Sequence, residues 1–173
     1  MISIIIPTLN EEKYLPRLLK SICRQSFTDY EIIVSDGDSA DRTKEIAESY
    51  GCKFIRSGVK GISVQRNVGA KLASGDILVF VDADCILPDR NFLSYVVNEF
   101  RGRKLDMGTL TFKHDYANAF VVAFDFFYWS LCFITQFFKK IRSHSLSDWK
   151  CYGRMNRIAK KRLSGFSENT LYA

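Results

Sequence analysis

Asp82, Ala83 and Asp84 form an Asp-x-Asp triplet directly after the apolar run Ile77 to Val81. Two hard carboxylate ligands at that spacing could share a divalent cation with the oxygens of a diphosphate. Mg²⁺ and Mn²⁺ use this arrangement, completing an octahedron from a few carboxylates plus phosphates. Such an ion neutralises charge that grows on a departing diphosphate. Asp36 and Asp38 repeat the spacing, so spacing alone does not choose a metal site, and turn or capping roles are the ordinary reading of an isolated triplet. A third set of carboxylates, Glu11 and Glu12, follows Pro7, Thr8, Leu9 and Asn10. Acidic groups gathered at one edge repel one another unless a cation or a donor-rich ligand relieves them.

The elements that must carry these groups alternate between strand and helix. Ser3 to Pro7 is a β-branched run, and Asn10 stands where an N-cap would before Glu11 and Glu12. Leu15, Leu18, Leu19 and Ile22 recur at helical spacing, and Tyr30 to Ser35 is a second strand-length run. Asp38 or Ser39 is placed to cap a helix that carries Ile46, Ala47 and Tyr50 and stops at Gly51, before a third strand from Cys52 to Arg56. Val64, Val68 and Leu72 mark another helix between Ser63 and Ala73, and Ile77 to Val81 is a fourth strand. Asn91 to Phe100 reads as a helix, and Met107 to Lys113 as a strand, expected antiparallel at an edge. Alternation of this kind argues for a largely parallel sheet covered on both faces. In such sheets ligands bind beyond the carboxyl ends of the strands, where all three acidic groups fall.

The 173 residues and 47% apolar content suit one domain around one sheet. A net charge of +6 favours anionic partners. The five cysteines are scattered and odd in number, which suggests neither a disulfide framework nor a zinc site, and a cytoplasmic location is expected. No Gly-x-Gly-x-x-Gly or Walker-type Gly-Lys-Ser/Thr sequence follows any strand. That argues against dinucleotide and P-loop chemistry, as the lack of a Gly-rich loop after the first strand argues against a nucleotidyltransferase. The basic residues from Arg154 to Arg162 accompany no recognition motif, so no specific nucleic-acid partner is expected.

Four motifs occur in order: Ser-Ile-Ile-Ile-Pro-Thr-Leu-Asn-Glu-Glu from Ser3, Ile-Val-Ser-Asp-Gly-Asp-Ser-Ala-Asp-Arg-Thr from Ile33, Gln-Arg-Asn-Val-Gly-Ala from Gln65, and Ser-Gly-Asp-Ile-Leu-Val-Phe-Val-Asp-Ala-Asp from Ser74. Together they resemble the inverting glycosyltransferase family 2, over Met1 to Pro88 and again around Arg154 to Glu168. The resemblance implies an α/β, GT-A Rossmann-like fold with a mainly parallel central sheet flanked by helices. It implies a single domain, 1–173, in which 1–115 binds the nucleotide sugar and 116–173 forms the acceptor side. The expected activity is metal-dependent transfer of a sugar from a nucleotide-diphosphate sugar donor to an acceptor hydroxyl. On this resemblance Pro7, Thr8, Leu9 and Glu11 line the nucleoside pocket, and Asp36 or Asp38 hydrogen-bonds the base or ribose. Arg66 lies near the donor, Asp82 and Ala83 contact it, and Asp82 and Asp84 hold Mn²⁺ or Mg²⁺. The residue types alone leave other roles open: Asn10 and Ser39 as helix caps, and Arg66 as an exposed helix residue.

An inverting transfer needs a base for the acceptor proton. Family members usually carry it in a Glu-Asp pair shortly after a Gly-Phe-x-Glu segment. Gly165, Phe166, Ser167 and Glu168 match that segment, but no pair follows before Ala173. The expectation is a chain truncated before the base motif, with Glu168 as the candidate substitute. The alternative is a membrane-associated protein that binds a nucleotide sugar without efficient catalysis.

Ala117 to Phe138 is aromatic-rich and read as a hydrophobic helix, long enough for a bilayer that about 20 apolar residues can cross. Asp125 at its middle argues against simple spanning. Asn118, Asp125, Cys132 and Gln136 fall on one helical stripe, and Lys139, Lys140 and Arg142 follow. Two readings of 117–142 stand equally: a helix lying on the inner face of the cell membrane beside a lipid-linked acceptor, or a buried or homodimer face.

Overall fold

The computed structural model describes residues 1–113, 143–152 and 159–161. Strands β1 (Ile2–Thr8), β2 (Tyr30–Asp36), β3 (Lys53–Arg56) and β4 (Ile77–Phe80) alternate with helices α1 (Leu15–Cys23), α2 (Thr43–Ser49) and α3 (Ile62–Leu72). Helix α4 (Phe92–Gly102) and strands β5 (Met107–Lys113), β6 (Ser143–Tyr152) and β7 (Ala159–Lys161) follow. The sheet runs β3-β2-β1-β4-β7-β5-β6. The first four strands are parallel, and β7 lies antiparallel to both of its neighbours, β4 and β5. The parallel α/β architecture follows from the sequence pattern. Strand β5 does not lie at an edge as expected: β7 and β6 flank it, and it is parallel to β6. Neither of those strands has the alternation that would have marked it in the sequence.

Parallel strands buried on both faces need apolar side chains pointing both ways, and β1 supplies them. Ile2, Ile4 and Ile6 join the cluster that includes Leu15, Leu18, Leu19 and Ile22 of α1 and Phe92, Leu93, Val96 and Val97 of α4. Ile5 points to the opposite face, among Ile33, Leu78, Phe80 and Ala70 of α3. The four apolar side chains of α1 are fully buried, each contributing about 1.5–3 kcal/mol from burial.

Helix starts differ from the sequence reading. Asn10 is no N-cap: it has a φ of 56°, and α1 begins at Leu15. Neither Asp38 nor Ser39 caps α2, which begins at Thr43. Asp41 does that work, accepting from the backbone N–H of Thr43 at 3.0 Å and from its hydroxyl at 2.5 Å. Helix α3 forms where expected, but Val64 and Leu72 are 37% and 47% exposed. Its buried face is Gln65, Arg66, Gly69 and Ala70. A side-chain carbon on Gly69 would stand 2.6 Å from Ile5 Cγ2, so glycine lets this face lie close against β1.

Candidate functional site

The register aligns the strand tips. Thr8 pairs with Asp36, Ile5 with Phe80, and the Val81 N–H donates to the Ile5 carbonyl at 3.0 Å. The segment Asp82 to Asp84 therefore leaves β4 beside the end of β1. The loops after β1 and β2 are laced together by side chains. The backbone N–H of Asn10 donates to Ser39 Oγ at 2.8 Å, that of Glu11 to Thr43 Oγ1 at 2.9 Å, and that of Glu12 to Asp41 Oδ2 at 3.0 Å. The Ala40 N–H donates back to Asn10 Oδ1 at 2.9 Å. Polar backbone that could have begun a helix is satisfied across the two loops instead.

A cavity of about 320 Å³ opens where these tips meet. Pro7, Thr8, Leu9, Glu11, Asp82, Ala83 and Asp84 line it, joined by Gly61, Ile62 and Gln65 from the start of α3. The acidic groups are felt at Glu11. Burial, then the negative charges of Asp84, Asp41 and Asp82, push its carboxyl up to about 7.

Asp36 sits directly behind Thr8, 1% exposed. Its carboxylate accepts from the Thr8 hydroxyl at 2.9 Å, the Ser39 hydroxyl at 2.5 Å and the Ser39 N–H at 2.8 Å, so protein donors engage both oxygens. Asp38 is exposed, has a φ of 72°, and faces Arg56 at 3.6 Å. It is not among the residues lining the cavity. Arg66 is buried rather than solvated, and its Nη2 donates to Asp82 Oδ1 at 2.6 Å. Its Nε has no hydrogen-bond partner among the described residues. Glu168 and the segment 117–142 lie outside the described residues.

Sequence reasoning placed the lining residues of β1 and β4 but missed Gly61, Ile62 and Gln65. The signal for Gln65 was available: Gln65, Arg66, Gly69 and Ala70 share a helical face, and its small residues allow close packing while its polar ones need partners. Gln65 is 3% exposed and donates from Nε2 to the Thr8 carbonyl at 2.9 Å.

A parallel α/β sheet whose strand tips meet at an acidic cavity is the framework of a nucleotide-binding domain. The family model for glycosyl transferase family 2 matches residues 3–157. The chain belongs to that family. It is 43% identical over 113 residues to the 4,4'-diaponeurosporenoate glycosyltransferase of Staphylococcus haemolyticus, a match covering 58% of this chain and 30% of that protein. The structure of S. aureus TarS 1–349 in complex with UDP-GlcNAc superposes with a TM-score of 0.63 at 29% identity, over 68% of this chain and 36% of that one. Glucosyl-3-phosphoglycerate synthase of Mycobacterium tuberculosis, solved with Mn²⁺ and UDP-glucose, gives a TM-score of 0.56 at 27% identity, over 65% and 44% of the two chains. The chain thus spans less than half the length of these relatives.

Proposed function

We propose that this chain transfers a sugar from a nucleotide-diphosphate sugar to an acceptor hydroxyl, with a divalent cation at Asp84 and Asp82. One observation carries the reading: a single cavity joins the Pro7 to Glu11 segment with Asp82, Ala83 and Asp84. The UDP-GlcNAc complex of S. aureus TarS and the Mn²⁺ complex of the mycobacterial synthase support it by likeness.

The side chains suit a hard cation. Asp82 and Asp84 offer carboxylate oxygens, and burial followed by the charges of Asp84, Asp41 and Asp82 raises the Glu11 carboxyl beside them. Both aspartates would suit Mn²⁺ or Mg²⁺, hard cations that take oxygen ligands. When bound, the cation would neutralise charge on the leaving diphosphate. Asp82 and Asp84 would hold it, with Arg66 also engaging one oxygen of Asp82. Arg66 fixes Asp82 and balances its charge, while Pro7, Thr8 and Leu9 provide a wall for the nucleoside. Asp36 keeps the Thr8 hydroxyl oriented. The acceptor proton goes to a carboxylate from outside the described residues, for which Glu168 is our candidate.

For the acceptor we favour a lipid-linked hydroxyl at a membrane surface, on the strength of the aromatic segment 117–138 and the basic residues Lys139, Lys140 and Arg142 that follow it. No helix among the described residues is long and apolar enough to cross a membrane.

Calorimetry with UDP- and GDP-sugars, with and without Mn²⁺, tests the donor reading. Wild type should bind at least one of them in a Mn²⁺-dependent manner, and Asp84→Ala should lose that dependence while its far-UV spectrum stays unchanged. Undiminished Mn²⁺-dependent binding in Asp84→Ala removes the role assigned to this residue.

A further inference from the structure

We infer that the outward face of α1 docks the protein on an anionic lipid surface through Lys13, Arg17, Lys20 and Arg24. This surface is separate from the cavity and does not depend on the donor reading. It shares the membrane with the acceptor reading above but places the contact on other residues.

Arg17 and Lys20 stand on α1, and Arg24 is its C-cap. Their spacings of three and four residues keep them within an arc of about 60° on a helix of 3.6 residues per turn. Lys13 continues the line from the turn before the helix. The arc lies opposite Leu15, Leu18, Leu19 and Ile22, which are fully buried. All four cations are exposed, and none makes an ion pair among the described residues. The nearby carboxylates are engaged elsewhere: Glu12 faces Arg42 at 3.5 Å, Asp29 faces the N-terminal amine at 2.9 Å, and Asp89 accepts the Asn91 N–H at 2.7 Å. Arg90, also exposed, extends the patch, because its carbonyl accepts the Ser26 N–H at 2.7 Å just beyond the end of α1.

This stripe does not serve the helix itself. Like charges three or four positions apart repel one another along a helix, and each successive pair here is of that kind. The first turn of α1 holds no acidic residue, and Arg17 in that turn opposes the helix dipole. A solvated helix face gains from alternating signs, whereas a uniformly basic one suits an anionic surface. Lipid fits this face better than other anionic partners do. The apolar side of α1 is buried in the core, so none remains to enter the groove of an acidic protein. At the cavity end Tyr14 is 48% exposed beside Lys13, and Leu9 is 40% exposed on the cavity wall. A bilayer interface takes up aromatic and apolar side chains next to basic ones, while the phosphates of a nucleic acid engage the charges alone. Helix α1 begins a few residues after Glu11 of the cavity wall, so docking by this face keeps the cavity close to the lipid.

Flotation of the full chain with phosphatidylcholine vesicles, with and without phosphatidylglycerol, tests this. Wild type should rise with the anionic vesicles at low salt and be released at high salt. Arg17→Gln/Lys20→Gln should bind them at least about tenfold more weakly, at roughly fivefold per cation removed, with its far-UV spectrum unchanged. Lys60→Gln/Lys71→Gln removes the same charge from the α3 side and should stay within about twofold of wild type, because the attraction fades within a Debye length. Equal losses in the two double variants, or no loss in the α1 variant, overturn the inference. With wild type still floating, the contact then passes to Lys139, Lys140 and Arg142 and the acceptor reading stands. Binding to duplex DNA that the α1 substitutions weaken, without binding to vesicles, gives the face to a nucleic-acid partner and likewise overturns the inference. Wild type that stays in the soluble fraction with both vesicles overturns this inference together with the membrane part of the acceptor reading.

Discussion

Glu11 shows the electrostatic cost of gathering carboxylates at the cavity. Burial and the neighbouring carboxylates push its carboxyl up to about 7 in the folded chain, against 4.5 for an ordinary glutamate. The folded state therefore holds this proton more tightly than the unfolded state does, and stability should fall as pH rises from 4.5 to 7, then level off. In the absence of divalent cation Glu11→Gln removes that loss. Its unfolding free energy should match wild type at pH 4 and exceed it by about 1–2 kcal/mol at pH 8, a figure reduced for solvent screening. Urea titrations at the two pH values check this; a deficit at pH 8 would mean that the charged form is stabilised by the fold. Arg66 belongs to the same balance. Its Nη2 donates to Asp82, while its Nε has no hydrogen-bond partner among the described residues.

At the scale of elements, the amino ends of the strands are tied by a network far from the cavity. Glu31 of β2 accepts from Ser3 of β1 at 2.5 Å, from Lys53 of β3 at 2.7 Å and from the Ser74 N–H before β4 at 2.6 Å. Burial pushes its carboxyl up, but hydrogen bonds from Lys53, Ser3 and Ser74 and the charge of Lys53 outweigh it and hold it at about 2. This stability is present above pH 4.5 and is lost as pH falls toward 2. Glu31→Gln should be destabilised by about 1–2 kcal/mol at neutral pH, a figure reduced for solvent screening, with the difference from wild type shrinking in acid denaturation. A constant difference from pH 7 to 2 would show that packing, not the carboxylate charge, supplies the effect. Elements were legible where apolar periodicity dominated, as in β1, α1 and β4. Helix starts were not, because Asn10 and Ser39 satisfy the backbone of each other's loops, a contact between residues 29 apart. The exposed stripe of α3 misled for a related reason: Val64 and Leu72 have the right spacing, but the polar face is the one the site requires.

For the whole molecule, the net charge of +6 and the aromatic segment 117–138 with its trailing Lys139, Lys140 and Arg142 set an expectation about surfaces. The chain should float with vesicles containing anionic lipid and less so with neutral ones, because basic residues gain from a negative surface within a Debye length. Recovery wholly in the soluble fraction with both would turn 117–142 back to a buried or dimer face. By itself the sequence determined the family, the parallel α/β architecture and the acidic residues at the strand ends, since these depend on local periodicity and on residues a few positions apart. The tertiary structure alone decided which of them share a cavity. It put Asp36 behind Thr8, turned Asp38 toward Arg56, and brought Gln65 across 57 positions to the Thr8 carbonyl. Those outcomes depend on which strands become neighbours and how closely α3 can approach β1, and no local pattern encodes contacts made at such separation.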